Sequence, residues 1–237
     1  MTNRVMRLVA VGCLAVSLAA DERAQPPNVL PATAAATLVK SLDASRQHPR
    51  HLWRDTAPMT GDLVNAYIEI PRGERRKYEF DMRANARAID RIIDQRIGGY
   101  PVNYGFVPQT VSYDGDPFDV LVLGPPLPGG RFVRGVIVGL MLMNDEKGLD
   151  SKVVLSLVGS NGRPTHQLTE SDRTRLTAYF KAYKRLEPGK FSDVSGWGSS
   201  EDGRAFVTMT HAFFEQCRTT GDAPCTISGN RPALQSR

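Results

Sequence analysis

The 237-residue sequence predicts a mainly β protein with flanking helices, an α+β domain whose strands form a barrel or a sandwich. Short segments of alternating or apolar character, joined by glycine- and proline-rich turns, run from Val64 to Val158. After Ser171 the spacing of apolar residues changes to that of a helix. The composition, 41% hydrophobic and 23% charged, is ordinary for a soluble globular chain. This length forms one good-sized domain with extensions, or at most two small domains.

The N-terminus has the composition of a secretory signal peptide. Arg4 and Arg7 precede residues 8–20, an uncharged and mostly apolar run that is too short to span a bilayer. Ser17-Leu18-Ala19 offers a cleavage site flanked by small residues. We therefore expect residues 1–19 to be removed and the protein to be periplasmic or secreted. The alternative is a cytoplasmic protein with an apolar tail.

Three cysteines bear on the same question. Cys13 lies within the predicted signal peptide, where lipid attachment is a second alternative. Cys217 and Cys225 remain after cleavage. Two cysteines in an exported chain favour a disulfide, and two unpaired thiols are the alternative.

Residues 20–61 form a predicted N-terminal extension rich in Ala, Pro, Thr and Arg. The spacing predicts a helix over 32–42, and the rest of the extension reads as an extended linker. His48-Pro49-Arg50-His51 contains two histidines, but Pro49 excludes a helical pair of metal ligands. We interpret these histidines as structural.

The predicted domain itself begins with strands and ends with helices. The predicted strands cover residues 64–70, 76–80, 88–93, 120–123, 132–143 and 153–158. A first helix is predicted over 171–186, begun by Thr169 or Ser171 and ended by Pro188-Gly189. A second is predicted over 201–215, with a buried face formed by Phe206, Met209 and Phe213. Residues 218–237 form a predicted tail.

Two short loops between strands carry five aspartates: Asp114, Asp116, Asp119, Asp145 and Asp150. If the flanking strands pair, the loops converge. Two carboxylates 4 Å apart repel by about 4 kcal/mol at an effective dielectric constant of about 20. Such a cluster needs divalent cations or strongly shifted pKa values. The sequence therefore predicts a site for hard divalent metal ions, and a solvated acidic turn is the alternative for the first loop.

The first loop is not an EF-hand. Counted from Asp114, the sixth position is Asp119 where an EF-hand needs glycine, and the twelfth is Pro125 where it needs a bidentate glutamate. Magnesium instead prefers one or two carboxylates together with water and phosphate oxygens. Asp114, Asp119 and Asp150 can supply such partial shells.

Several cations within apolar segments are candidates for binding phosphate: Lys77, Arg91, Lys152 and Lys184. A surface ion pair is the alternative for each. Metals and cations without a histidine-based nucleophile indicate metal-assisted attack by water on a phosphorus ester or anhydride.

The sequence resembles the family I soluble inorganic pyrophosphatases over residues 62–197, and more weakly in the second predicted helix. Asp114 to Asp119 match the family signature Asp-x-Asp-Pro-x-Asp. Further motifs occur in the order and spacing of the family: Ile68-Glu69-Ile70-Pro71, Lys77-Tyr78-Glu79, Asp90-Arg91, Tyr100-Pro101-Val102-Asn103-Tyr104-Gly105-Phe106 and Tyr183-Lys184.

The resemblance implies an OB-like five-stranded β-barrel with two C-terminal helices, in a pyrophosphatase domain covering 62–217. It implies hydrolysis of pyrophosphate to two phosphates with several Mg²⁺ ions, or Mn²⁺ as a substitute, in a homo-oligomer. Asp116 would accept the proton of the attacking water. By position, Asp114, Asp119 and Asp150 would be the principal metal ligands, Asp145 and Glu69 would bind further ions, and Lys77, Arg91, Tyr104, Tyr183 and Lys184 would hold phosphate oxygens with Lys152 nearby.

Three features depart from the family pattern: the predicted signal peptide, the short segment 159–168 without an acidic, tyrosine-containing stretch, and Phe191 in place of a common tryptophan. None of them affects the metal loops.

Two other functions are alternatives to a pyrophosphatase. The net charge of +5 is compatible with an OB-fold module that binds single-stranded nucleic acid. Glu69 and Glu79 on the predicted barrel face would repel a polyanion, so we expect no nucleic-acid partner. We also expect no stable membrane insertion once the predicted signal peptide is removed. A catalytically silent exported relative is the other alternative, although no ligand is missing. The absence of Gly-x-Ser-x-Gly argues against a Ser-His hydrolase.

Overall fold

A computed structural model of the chain describes residues 27–220. The predicted signal peptide, Cys13 and Cys225 lie outside the described residues, so the export and disulfide predictions stay predictions. Within residues 27–220, no helix has the length and apolar character that crossing a membrane requires.

Three helices and ten strands make up the described part of the chain. In chain order they are α1 (Ala32–Ser45), β1 (Met59–Thr60), β2 (Leu63–Ile70), β3 (Arg76–Asp81), β4 (Ala86–Ile92), β5 (Asn103–Phe106), β6 (Asp119–Leu123), β7 (Arg131–Asp145), β8 (Gly148–Leu149), β9 (Lys152–Leu157), α2 (Glu170–Ala182), β10 (Ser192–Gly198) and α3 (Ser200–Thr220).

Five strands close into a ring, which confirms the predicted OB-like barrel. The order around the ring is β2, β5, β6, β9 and β7, and β7 then pairs with β2 again. All of these pairs are antiparallel except β6 with β9, which is parallel. The parallel pairing brings the beginnings of β6 and β9 to the same end of the barrel, where the two acidic loops meet these strands.

The strands β3 and β4 form a separate antiparallel hairpin. Lys77 pairs directly with Arg91, so the two predicted phosphate ligands are cross-strand neighbours. A register shift between Lys77 and Tyr78 interrupts the ladder at this point.

Helices cover the barrel around two apolar clusters. One contains α3, which buries Phe206, Met209 and Phe213 as predicted. The other contains Phe180 of α2 packed with Tyr100 of the barrel side. Each cluster joins a helix to strands, so the core holds the barrel in a fixed relation to both helices.

Much of the predicted N-terminal extension packs against the rest of the domain and does not form an extended linker. The helix predicted over 32–42 is present as α1 and continues to Ser45. Beyond it, Trp53 is only 1% exposed and packs edge-on against Phe214 of α3. Residues 27–61 therefore belong to the same core as the barrel, and the linker prediction is wrong for this part. The buried residues of α1, such as Leu38 and Leu42, and the large side chain of Trp53 anchor this segment together.

Smaller corrections concern the ends of elements. The helix predicted over 171–186 ends at Ala182, so Tyr183 is its C-cap and Lys184 follows it. Thr169 and Asp172 form a capping box at its start. The second helix runs to Thr220, five residues beyond the predicted end. The two-residue strands β1 and β8 and the longer strands β5 and β10 were not predicted.

Candidate active site

A cavity of about 250 Å³ is lined by both acidic loops, the β3–β4 hairpin, α1 and the turn after α2. Its wall contains all the predicted metal ligands and the predicted base, together with five of the predicted phosphate ligands. They are Glu69, Lys77, Arg91, Tyr104, Asp114, Asp116, Asp119, Asp145, Asp150, Tyr183 and Lys184. Lys152 lies behind the wall, with a side chain that is 1% exposed.

Strand register explains why the two acidic loops converge. Val120 of β6 pairs in parallel with Val153 of β9, so Asp119 and Lys152 precede this pair at the same end of the barrel. The Lys152 ammonium donates to Asp119 at 2.5 Å and to Asp150 at 2.8 Å. A buried cation thus joins the two loops.

A tight turn presents the first two aspartates. The Ser112 amide donates to the Asp116 carbonyl at 2.7 Å, and the Asp116 amide donates to the Asp114 carboxylate at 3.1 Å. Gly115 between them has φ +93°, a conformation that residues with a Cβ rarely adopt. We call residues Ser112–Asp116 the catalytic turn, because they include Asp116, which is predicted to act as the base.

Two further lysines lie among the carboxylates. Lys147 is 3.5 Å from the Asp114 carboxylate and 3.4 Å from that of Asp116. Lys184 is 2.7 Å from Asp145. Among the described residues, no three Asp, Glu, His or Cys side chains converge on one point as a ready-made metal cage. Ammonium groups lie between the carboxylates instead.

The lysines do not remove the excess negative charge. Burial, and then the neighbouring Asp119 and Glu79, raise the pKa of Glu69 well above its usual range. Burial also raises the pKa of Asp150 to about 8, against the opposing effect of Lys152 and with a further contribution from Asp119. Carboxyl groups that resist ionisation in this way mark a site with room for more positive charge.

Asp116 differs from the other carboxylates in its exposure. The surrounding protein, and then the charge of Asp114, raise its pKa to about 7, while Lys147 works in the other direction. The side chain is nevertheless 58% exposed, so water moderates this effect. Asp116 is therefore the carboxylate of the turn that a solvent molecule reaches most easily.

The donor set fits a hard divalent cation. Its oxygen atoms come from carboxylates, which Mg²⁺ and Mn²⁺ prefer, and histidine and cysteine are absent from the wall. The raised pKa values of Glu69 and Asp150 point the same way, because a dication would stabilise their ionised forms.

Cations of the hairpin are placed at the wall but are held in ion pairs. Lys77 pairs with Glu79 and lies 3.2 Å from Asp90. Arg91 pairs with Asp90 and lies 2.9 Å from Glu187. Lys77 and Arg91 therefore line the cavity, as predicted, and are also held in ion pairs, which was the alternative for each.

The two tyrosines are hydroxyl donors. Burial, followed by Asp119, raises the pKa of Tyr104, and burial, followed by Asp150, raises that of Tyr183. Both hydroxyls therefore stay protonated and can donate to an anion.

Several residues of the wall were not predicted as site residues: Ser41, Asp90, Glu146, Lys147 and Lys190. Glu146 and Lys147 belong to the second acidic loop, and Asp90 precedes Arg91, so proximity in sequence was an available signal. Ser41 comes from α1, far away in the chain, and no sequence pattern connected it to the site.

Comparisons with known proteins agree with this geometry. A family model described as "Inorganic pyrophosphatase" matches residues 66–215. The inorganic pyrophosphatase of Saccharolobus solfataricus is 39% identical over 150 residues, covering 60% of this chain and 87% of the relative. That of Rickettsia prowazekii is 39% identical over 159 residues, covering 64% and 92%.

Solved structures give the same result. The crystal structure of the inorganic pyrophosphatase from Thermus thermophilus superposes with a TM-score of 0.64 at 33% identity, covering 70% of this chain and 99% of that one. The Coxiella burnetii inorganic pyrophosphatase gives 0.62 at 35% identity, covering 67% and 99%. The matched family region begins after α1, so it includes the barrel and excludes the N-terminal segment.

Proposed function

Because the chain belongs to the inorganic pyrophosphatase family, we propose that its acidic cavity hydrolyses pyrophosphate to two phosphates with Mg²⁺ as cofactor. The protein is a hydrolase of phosphoric anhydride bonds, an inorganic diphosphatase. The observation that carries the proposal is the convergence of both acidic loops and the cationic hairpin on one cavity.

Asp114, Asp119 and Asp150 are the proposed ligands of the principal metal ions, and Asp145 and Glu69 those of further ions. When bound, such ions neutralise phosphate charge and make a coordinated water more acidic. Lys184, now paired with Asp145, would then be released to become a donor toward phosphate oxygens, with Lys152 nearby behind the wall.

Asp116 accepts the proton of the attacking water in this proposal. Its exposed carboxylate and its pKa of about 7 suit a group that must take up a proton near neutral pH. General bases of this kind contribute about 10²–10⁴ in rate. The neighbouring Asp114 stays available for metal.

The hairpin and the turn after α2 bind and orient the substrate. Lys77, Arg91 and Lys184 supply positive charge, and the hydroxyls of Tyr104 and Tyr183 donate hydrogen bonds. Placed around an anhydride, these groups stabilise the charge that grows on the leaving phosphate. A module for single-stranded nucleic acid is not favoured, because the same wall carries Glu69, Glu79 and the aspartates.

The test is phosphate release from pyrophosphate with and without Mg²⁺, using ATP and a phosphate monoester as control substrates. We expect release from pyrophosphate only when Mg²⁺ is present, loss of activity in EDTA, and recovery on adding Mg²⁺ back. Mn²⁺ is tested in parallel as the substitute ion. Equal rates in EDTA and in Mg²⁺, or preference for the monoester, would contradict the proposal.

Export and assembly are separate proposals. The composition of residues 1–19 supports a periplasmic or secreted protein, and mass spectrometry of the native chain tests this. A mature protein that retains Met1 would exclude export. The family resemblance supports a homo-oligomer, which light scattering of the purified protein tests. A monomer at micromolar concentration would contradict it.

A further inference from the structure

The helix α1 contacts the catalytic turn directly. A Cβ built on Gly115 would lie 2.5 Å from the Thr37 Cβ and 2.8 Å from the Ala34 carbonyl oxygen. Contacts this short show that the turn already lies against α1 with no space between them. Gly115 is flanked by Asp114 and Asp116, so the contact is made at the centre of the proposed chemistry.

One face of α1 is directed at the site. Ala34, Thr37 and Ser41 recur at intervals of three and four residues, which places them on the same side of a helix. Ser41 lines the same cavity as the carboxylates. The helix therefore forms part of the wall as well as the support behind the turn.

The segment that leads into the turn is also held by N-terminal residues. The Trp53 indole donates to the Thr110 carbonyl at 3.1 Å. The Gln109 amide donates to the Trp53 carbonyl at 2.9 Å, and the Tyr113 hydroxyl donates to the Pro27 carbonyl. These bonds fix the approach to the turn from the same side as α1.

The helix is itself firmly anchored. Ala35, Leu38 and Leu42 are buried in the apolar cluster that contains Phe213 of α3. A hydrogen bond across the base of the first acidic loop does not involve α1: the Phe118 amide donates to the Thr110 hydroxyl at 2.9 Å. The barrel thus fixes where the loop begins and ends, and α1 contacts its tip.

From this geometry we propose that α1, through Thr37, positions the catalytic turn for hydrolysis. The inference rests on the proposed function, and it makes the N-terminal segment outside the matched family region a part of the catalytic apparatus. Thr37 does not line the cavity, so it is a positioning residue. A displacement of about 1 Å in such a group can lower turnover by about 10²-fold.

Two variants test the contact from opposite directions. Thr37→Leu enlarges the side chain and pushes the turn away. Thr37→Ala removes the methyl group that faces Gly115, together with a hydroxyl that donates to the Thr33 carbonyl within α1. Ala36→Leu is the matched control, because Ala36 is the preceding residue of the same helix and is exposed. Full-length protein is used throughout.

We expect kcat for pyrophosphate at saturating Mg²⁺ to fall by about tenfold or more in Thr37→Leu and by a few-fold in Thr37→Ala. KM should change less than kcat, and Ala36→Leu should match the wild type. Amide hydrogen exchange in the segment 112–116 should accelerate in both Thr37 variants and not in the control. A merely structural role would lower Tm and leave kcat of the folded protein unchanged.

Each outcome decides the question. Wild-type kcat in both Thr37 variants would overturn the proposal, whatever their exchange or Tm, and Thr37→Ala supplies the decision if Thr37→Leu does not fold. If the wild-type protein fails to hydrolyse pyrophosphate, the proposed function fails by itself. Exchange in the segment 112–116 then still shows whether Thr37 fixes the turn.

Discussion

The acidic cavity and the apolar face of α1 that packs toward α3 lie on opposite sides of the contact between Thr37 and Gly115, and they are built from opposite kinds of residue. The cavity contains carboxylates whose ionisation is opposed by burial, such as Glu69 and Asp150. The buried face of α1 consists of small and aliphatic side chains such as Ala35 and Leu38. Charge crowding in the first region suits ligand binding, and apolar packing in the second suits stability.

The comparison teaches that the two regions should respond differently to metal. Binding of a dication stabilises only the folded protein that holds the carboxylates together. It does nothing for contacts between α1 and α3. Variants in the cavity should therefore show effects that depend on Mg²⁺, whereas variants in the apolar face should not.

The largest expected effect is loss of the proposed base. Asp116→Asn should lower turnover by about 10²–10⁴ while leaving the fold intact, because it removes the proton acceptor and keeps the shape. Steady-state phosphate release and thermal unfolding measure the two quantities. Asp62→Asn is the control, since the Asp62 side chain is 91% exposed and lies outside the cavity. Retention of wild-type turnover in Asp116→Asn would defeat the assignment.

The second prediction concerns the buried cation of the cavity. Lys152→Met should lower the free energy of unfolding by about 3–5 kcal/mol in EDTA, because it leaves Asp119 and Asp150 without their partner. The loss should shrink in Mg²⁺, which replaces the missing charge. Urea unfolding in both conditions measures this.

Lys147→Met provides the contrast within the same cavity. Its side chain is 56% exposed, so its ion pairs should contribute only about 0–1 kcal/mol to the free energy of unfolding. Equal losses for the two lysines would show that burial does not distinguish them.

The third prediction addresses the apolar region. Leu38 is fully buried, and Leu38→Ala should lower the free energy of unfolding by about 2–5 kcal/mol through lost packing. The loss should be the same in EDTA and in Mg²⁺, as urea unfolding can establish. Lys40→Ala, an exposed change on the same helix, should stay within about 0.5 kcal/mol. A loss in Leu38→Ala that Mg²⁺ reverses would erase the distinction between the regions.

The smallest effect is expected at His51, a residue of the N-terminal segment whose imidazole contacts the β3–β4 hairpin at Phe80 and Met82. Burial lowers the pKa of His51, and the charges of Arg54 and His48 lower it further. The hydrogen bond to the Met82 carbonyl and the charge of Asp55 act in the opposite direction without reversing the shift. Folded His51 therefore stays neutral where the unfolded chain, with an ordinary pKa near 6.5, binds a proton.

Stability contributed by His51 is thus present above about pH 6.5 and is lost as the pH falls below it. Urea unfolding at saturating Mg²⁺ between pH 7.5 and pH 5.5 should show a steeper decline for the wild type than for His51→Gln. Parallel declines in the two proteins would contradict the prediction.

The sequence predicted which residues line the site better than it predicted how they pair. The acidic loops pointed to the aspartates, the apolar surroundings of Lys77 and Arg91 pointed to the hairpin cations, and the family resemblance added Glu69; all of them line one cavity. The ion pairs of Lys152 with Asp119 and Asp150 were not predicted, since they depend on the register of β6 against β9. The direct contact between Thr37 and Gly115 leaves no mark in either segment of sequence.

The fold shows a similar division. Strands with alternating apolar residues were located to within a few residues. The unpredicted strands β5 and β10 contain glycine and polar residues, and they are strands because β2, β6 and β7 offer them hydrogen-bonding edges. The composition around Trp53, rich in proline and charged residues, predicts a linker, although the side chain of Trp53 is buried in the core.

The most direct test of the account is to locate metal in the cavity by anomalous diffraction from crystals of the full-length protein soaked in Mn²⁺. The account predicts anomalous peaks in contact with the carboxylates of Asp114, Asp119 and Asp150, with Lys147 displaced from the first loop. A cavity without peaks, in which Lys147 and Lys152 still bind these carboxylates, would contradict it.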